Sequence, residues 1–520
     1  MLLSVVVQTS ARVAESTGRL QKIARLADLL AETPPDEIET VVAFLSGTAR
    51  QGRIGVGGAA IVAAREAPAA ADPSLTIAEV DAAFGRIAAL SGSGSARARA
   101  EALRGLFERA SDREQDFLAR LLFGELRQGA LEGVLVEAVA RASKVPAAAV
   151  RRAAMLAGAL APVARAALAE GEQALQALVI QPFTPIQPML ADSAAGVDAA
   201  LRDLGLASLE FKLDGARIQL HKAGDEVRVY SRNLRDVSAA IPEIVETARS
   251  LPARDIILDG EAIALRSDGT PHPFQITMRR FGRKLDVDSM RQTLPVHALF
   301  FDCLYFDGEP LIDEPLARRI DVLARQAPGG LLVPRIVTAD AGEASAFLER
   351  ALAAGHEGVM AKATDGLYAA GRRGAAWMKI KNARTLDLVV LAAEWGSGRR
   401  RGTLSNLHLG ARDAQRGGFV MLGKTFKGLT DEMLAWQTTK FLALELARDA
   451  HTVHVRPELV VEIAFNDIQE SPHYPGRLAL RFARVKRYRE DKSAADADTY
   501  ETIQQIYAQM TGLEPPARRS

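Results

Sequence analysis

The spacing of apolar positions changes along this chain, and the changes mark its organisation. In roughly the first third, apolar residues recur at helical intervals, as in Leu20, Ile23, Leu26, Ala27 and Leu30 after a cap at Ser16 or Thr17. Ser111-Asp112-Arg113-Glu114 fits a capping box, and Phe117, Leu121, Leu122 and Leu126 form the buried stripe of a helix expected to end near Gly129. Further helices are predicted over 131–142 and 146–156, and Ser91-Gly92-Ser93-Gly94-Ser95 reads as a flexible break. Residues 1–185 therefore read as an all-α domain. Two glycine-bearing stretches, 52–58 and 129–133, could set helix amides against a phosphate. Neither fits a P-loop or a dinucleotide fingerprint, and helix punctuation is the simpler reading.

Gln181-Pro182-Phe183-Thr184-Pro185-Ile186-Gln187-Pro188 is proline-rich and extended, and it marks a domain boundary and an expected hinge. After it the pattern alternates with period two. A strand opening a hairpin is predicted over 209–220, with further strands over 227–231, 256–265 and 296–306. Helical stretches over 239–251, 315–324 and 341–354 lie between and after them. Residues 186–385 thus read as α+β with mostly antiparallel sheets. From residue 386 to 520 strands are predicted over 388–394, 407–411, 419–420, 453–455 and 459–464, with one long helix over 431–448. That count suits a small closed barrel of the oligonucleotide-binding (OB) type, and a sandwich also fits. A second hinge is expected near Arg384.

Composition adds bounds. The 520 residues are too many for one ordinary domain, and 48% hydrophobic content is ample for packed cores. No run of 18 apolar residues suggests a membrane span. The start of the chain lacks a basic region of the signal-peptide kind. Cys303 is the single cysteine, which excludes an internal disulfide and a cysteine zinc site and fits a reducing cytosol. Net charge is +1, so contact with a polyanion must come from local patches.

The candidate chemistry centres on Glu210-Phe211-Lys212-Leu213-Asp214-Gly215-Ala216-Arg217. Alternation in a strand puts Leu209, Phe211 and Leu213 on one face and Glu210, Lys212 and Asp214 on the other. Three further segments carry charged residues, two of them as pairs two apart. Asp259-Gly260-Glu261 ends a strand. Glu357-Gly358-Val359-Met360-Ala361-Lys362 follows a helix. Trp377-Met378-Lys379-Ile380-Lys381 places Lys379 and Lys381 opposite Met378 and Ile380. Singly, each such residue is ordinarily solvated surface. Together, lysines facing Glu210, Glu261 and Glu357 form a costly cluster unless a polyanion and a metal occupy it.

The ordered set Lys212-Leu213-Asp214-Gly215, Ser231-Arg232-Asn233, Asp259-Gly260-Glu261, Phe301-Asp302, Glu357-Gly358, Lys379-x-Lys381 and the basic run from Arg481 to Lys492 resembles the signature of covalent nucleotidyltransferases. Within these the chain is similar to ATP-dependent DNA ligases of the three-domain bacterial and archaeal form. Pro185-Ile186-Gln187-Pro188-Met189-Leu190-Ala191 and Arg484-x-Lys486-x-x-Arg489-Glu490-Asp491-Lys492 add to that match. The resemblance implies an all-α DNA-binding domain (1–185), an α+β adenylation domain (186–385) and a β-barrel OB-fold domain (386–520). It implies that Lys212 attacks the α-phosphate of ATP and carries AMP, with its pKa lowered by Lys379, Lys381 and a divalent cation. Glu210 would accept a hydrogen bond from adenine, Phe301 would stack on it, and Glu261 would bind the ribose or a metal-bound water. Arg217, Arg232 and Arg373 would contact phosphates, and Lys379 would neutralise charge at the α-phosphorus. Mg2+ (or Mn2+) would be held by Glu261 and Glu357. Arg399–Arg401 and Arg279-Arg280-x-x-Arg283-Lys284 would touch DNA phosphates.

The implied substrate is nicked double-stranded DNA, met in repair, replication or recombination. The implied protein is a cytoplasmic monomer that closes around the duplex. Rival readings share parts of the pattern: a GTP-dependent capping enzyme, an NAD-dependent ligase, an RNA ligase, or a non-catalytic DNA-end binder. The long helical N-terminal part and the lone cysteine disfavour the first two, and the intact lysine motif disfavours the last.

Overall fold

A computed structural model describes residues 1–126, 132–282, 287–370, 373–381 and 384–518. The chain divides into two compact units, Met1–Ile380 and Lys381–Ser520.

The first unit opens with helices, among them Arg19–Glu32, Asp112–Phe123, Glu132–Ser143 and Ala147–Ala157. Their apolar stripes meet in one core that includes Leu26, Phe44, Phe84, Phe107, Leu118 and Leu135. The Ser111/Glu114 capping box forms, with Ser111 N donating to Glu114 at 2.9 Å. That helix stops earlier than the stripe suggested, because Gly124 takes a left-handed conformation (φ 70°) after Phe123 and closes it. Gly129 lies outside the described residues. Gly57, in the other glycine stretch, precedes the helix Gly58–Arg65 as its N-cap.

Ten strands follow among the described residues of the first unit: β1 (Leu190–Ser193), β2 (Ala207–Phe211), β3 (Ala216–Ala223), β4 (Glu226–Ser231), β5 (Asp255–Ala264), β6 (Val296–Phe306), β7 (Glu309–Pro310), β8 (Arg335–Thr338), β9 (Gly358–Ala363) and β10 (Arg373–Lys381, whose last residue opens the second unit). They form two sheets of five, in the orders β1-β10-β9-β2-β8 and β4-β3-β5-β6-β7. The strand predicted over 209–220 is broken in two, and its second half, β3, forms the hairpin with β4. β2 pairs with β8 and β9, whereas β3 pairs with β4 and β5, so Lys212–Gly215 carries the chain from one sheet to the other. Gly215 is required at this crossing. A Cβ there would collide with the Ala262 carbonyl and, at 2.8 Å, with Glu261 Cγ on β5.

In the first sheet one face is apolar. Leu209, Val359, Ala361, Met378 and Ile380 pack with Phe347 and Ala351 of the helix Ala341–Ala353. Alternation leaves Glu210, Met360, Lys362 and Trp377 on the other face, where Met360 and Trp377 join Phe301 of the second sheet.

Residues 181–188, expected to be a hinge, are bolted to the second sheet. Phe183 N donates to His221 Nδ1 at 2.9 Å, and Tyr230 donates to the Phe183 carbonyl at 3.1 Å. Ile186 N donates to Gln219 Oε1 at 2.9 Å, the same oxygen that faces His221 Nε2 at 2.8 Å. Burial holds His221 neutral, with its pKa pulled down to about 3, so Nδ1 accepts and Nε2 carries the proton.

The second unit holds β11 (Arg384–Trp395), β12 (Leu404–Arg412), β13 (Phe419–Thr425), β14 (Glu445–Arg448), β15 (Thr452–Val455), β16 (Val460–Phe465), β17 (Asp467–Glu470), β18 (Leu478–Arg481) and β19 (Arg484–Tyr488). The order β13-β12-β11-β15-β14 is extended by β16, which pairs with β11 and β19. Among the described residues these pairings do not close into a barrel. The helix predicted over 431–448 ends at Ala443, because Glu445–Arg448 pairs with β15 instead, a tertiary contact that overrides helical spacing. A final helix, Tyr500–Thr511, buries Tyr500, Ile503 and Tyr507 in the core of this unit. Among the described residues no helix is long and apolar enough to cross a membrane.

Candidate active site

Lys212 is the first residue beyond β2, and the end of β2 fixes its position. Lys212 N donates to the Gly358 carbonyl at 2.8 Å, and Glu357 N donates to the Lys212 carbonyl at 3.2 Å. This reciprocal pair sets the two side chains together, and Lys212 Nζ forms an ion pair with Glu357. Burial works against the Lys212 ammonium, but the charges of Glu357, Glu261 and Asp214 outweigh it and hold its pKa above the usual value.

Glu261 belongs to the same group. Burial pushes its carboxyl up to about 7, with Lys212 and Arg217 opposing and Asp259 and Asp214 adding to the rise. Glu261 and Glu357 therefore converge on the lysine as carboxylate donors. Among the described residues no three acidic, histidine or cysteine side chains gather as a protein-only metal cage. Two carboxylates beside an open lysine fit Mg2+, which takes one or two protein oxygens and completes its shell with substrate phosphates and water.

Glu210 does not share this partner. It is 2% exposed and lies between two cations, Lys362 at 2.6 Å and Arg335 at 3.2 Å. Strand alternation put Glu210 on the correct face, but Lys212 had already left the strand. Phe301 of β6 is half-buried at the same locus, edge-on to Trp377 at 5.9 Å between ring centres.

Arg217 is already taken up. It makes a bidentate pair with Asp259 (3.0 and 2.6 Å) and donates to the Met189 carbonyl at 2.6 Å. Tyr368 donates to Asp259 at 2.8 Å and accepts from Met189 N at 3.1 Å, which closes a buried ring of polar contacts. Arg232 is exposed in the turn after β4, and with Ser231, Arg217 and Asp259 it lines a shallow cleft. Lys379 lies on β10 with the parity of Trp377, and Lys381 ends that strand at the first position of the second unit. Arg373 starts β10 opposite Leu190, and its side chain lies outside the described residues.

Of the basic candidates, Arg280 is not available to phosphate. It is 2% exposed and pairs with Glu243 at 2.9 Å. Arg283 and Lys284, like the side chain of Arg399, lie outside the described residues. In the second unit exposed Arg484 and Lys486 alternate with buried Ala483 and Val485, while Arg489 and Lys492 hold Asp387 at 2.8 and 2.6 Å.

Three residues escaped the sequence reading as participants: Lys362, Arg335 and Tyr368. Lys362 had a signal, since its parity on β9 matches that of Met360 on the face shared with Glu210. Arg335 and Tyr368 reach the site from elements distant in sequence, and nothing local marks them.

The chain matches family models described as ATP dependent DNA ligase domain over residues 188–381, ATP dependent DNA ligase C terminal region over 400–492, and DNA ligase N terminus over 59–140. It is 62% identical over 516 residues to a protein named "Probable DNA ligase" from Anaeromyxobacter sp. (strain Fw109-5), covering 99% of each chain. A protein of the same name from Sorangium cellulosum (strain So ce56) is 57% identical over 98% of this chain and 96% of its own. Among solved structures, one named "Pmar-Lig_PreS3" shares the fold with a TM-score of 0.61 at 19% identity, over 93% of this chain and 99% of its own.

Proposed function

The chain belongs to the ATP-dependent DNA ligases, with their N-terminal, middle and C-terminal regions in order, and on that premise we propose how its residues carry the reaction. Ligases of this family seal nicks with ATP, through an enzyme-AMP and a DNA-adenylate. Lys212 is the nucleophile. The neutral amine forms a P–N bond to the α-phosphorus as the bond to pyrophosphate breaks. AMP then passes to the 5′-phosphate of a nick, and the adjacent 3′-hydroxyl displaces it.

The observation that carries this reading is the ion pair of Lys212 with Glu357 at the crossing between the sheets, with Glu261 beside it. A lysine held there as ammonium has to release its partner and a proton before it can attack. Glu261 and Glu357 are the donors for Mg2+. Held there, Mg2+ would supply positive charge that offsets the phosphates. Phe301 and Met360, from facing sheets, take the purine between them, and Glu210 lies at its edge. Lys379, with Lys381 two residues on, offsets charge at the α-phosphorus. Arg232 and Arg373 serve phosphates, and Arg217 orients this side of the site through Asp259.

The same reading divides the chain at 1–185, 186–385 and 386–520 and gives the last segment the role of an OB-type domain. Its support is one core shared by β11, β12, β13, β15, β16 and β19. Exposed Arg484 and Lys486 supply sequence-independent contact with duplex DNA. The protein acts in the cytoplasm as a monomer on nicked double-stranded DNA.

Incubation with α-labelled ATP and Mg2+ tests the reading. The wild-type chain takes up label and Lys212→Ala does not. Label persisting on Lys212→Ala, or a wild-type chain that takes label from GTP or NAD instead, would sink it. Sealing of nicked DNA beside nicked RNA duplexes identifies the polymer.

A further inference from the structure

Lys362 is 1% exposed, among the largest fully buried side chains of the protein. Its Nζ lies 2.6 Å from Glu210 Oε2, 4.3 Å from the centre of the Phe301 ring and 4.2 Å from that of Trp377. The opposite face of β9 is filled by Val359 and Ala361 in an apolar core, so the strand is anchored without the lysine. A hydrophobe of similar volume would pack between two aromatic rings at lower desolvation cost than an ammonium. The cation is accounted for by what it does to its neighbours.

Glu210 is the group that gains most. Lys362 lies on one of its oxygens and Arg335 on the other, which fixes the direction its carboxylate faces. Burial draws the Lys362 ammonium below its ordinary pKa while the Glu210 and Asp302 charges oppose that, so cation and carboxylate sustain each other. The same ammonium holds the face of Phe301, the ring on which the proposed purine stacks.

We propose that Lys362 is a positioning residue that sets base selection, holding the Glu210 carboxylate aimed so that a purine on Phe301 is accepted through an exocyclic amino donor at its six-position. The inference rests on the nucleotide-transfer reading above. A 6-oxo purine would oppose a carbonyl oxygen to the carboxylate. A purine with only hydrogen at that position would forfeit the contact.

The test compares single-turnover lysyl-AMP formation from α-labelled ATP with the same step from α-labelled purine riboside triphosphate, which lacks the amino group. The wild-type protein is expected to prefer ATP about ten- to hundredfold, the range of a hydrogen bond to a charged acceptor. In Lys362→Met that preference collapses toward unity, because the aimed acceptor is lost, while labelling from the analogue shows that the variant folds. The double variant Lys362→Met with Glu210→Gln also removes the carboxylate that the single variant leaves without its lysine, with Arg335 as the remaining charge of the group. The preference is expected to be lost there too. A preference retained in either variant overturns the proposal, as does loss of labelling from both nucleotides alike. Failure of the wild-type protein to label from ATP strikes the parent reading instead.

Discussion

Lys212 and Glu357 are joined twice, through the backbone and through their side chains. Glu357 N donates to the Lys212 carbonyl, Lys212 N donates to the carbonyl of the next residue, Gly358, and the ammonium rests on the carboxylate. The nucleophile of the proposed reaction is therefore stored in its unreactive form, on a partner whose backbone cannot drift away from it.

Glu357→Gln follows from that storage. Removing the carboxylate removes the largest influence that holds the Lys212 pKa up, so burial gains weight and the pKa falls. In pH profiles of lysyl-AMP formation, the limb that rises as Lys212 deprotonates moves to lower pH. The maximal rate drops, because a proposed metal donor is lost. An unmoved limb would place the proton elsewhere.

Glu261, with a folded-state pKa of about 7 against an ordinary value near 4.5, predicts a stability change with a definite sign. Between those values the folded chain binds more protons here than the unfolded chain, so stability from this group falls as pH rises from about 4.5 to 7. Glu261→Gln removes that slope. Urea midpoints of both proteins at either end of the window measure it, and the variant is expected to gain on the wild type toward the alkaline end.

Arg319 and Asp302 form a bidentate pair at 2.7 and 3.0 Å, and both side chains are fully buried. Arg319→Met leaves Asp302 buried and unpaired, next to Phe301 in the chain, and is expected to cost about 3–5 kcal/mol. Adding Asp302→Leu recovers much of it. Urea unfolding of the single and double variants checks both statements.

Tyr368→Phe deletes one hydroxyl that donates to Asp259 and accepts from Met189 N. The loss leaves a buried N–H without its acceptor and is expected to cost about 1–3 kcal/mol in the same measurement.

Much of this was legible in the sequence, for stated reasons. Period-two alternation gave the faces of β10 and put Glu210 opposite Leu209, because a side chain's face follows from its position along a strand. The helical spacing of Phe117 and Leu121, and the cap at Ser111, gave their helix for the same local reason. The motif around Lys212 marked the chemistry, because a lysine among carboxylates is costly wherever it sits.

What lay beyond the sequence was partnership across long separations. Local pattern made one strand of 209–220, whereas β2 and β3 belong to different sheets, which puts the lysine at the crossing. It made a hinge of residues 181–188, which His221, Tyr230 and Gln219 bolt down. Glu357, just ahead of β9, and Glu261 meet Lys212 as the cluster of charges suggested, whereas Glu210, expected beside it, went to Lys362. A sequence determines which way each side chain faces along its own element, since that depends on the backbone period alone. Which charge meets which is decided only when separate elements are brought together, and the protonation of Lys212 depends on that meeting.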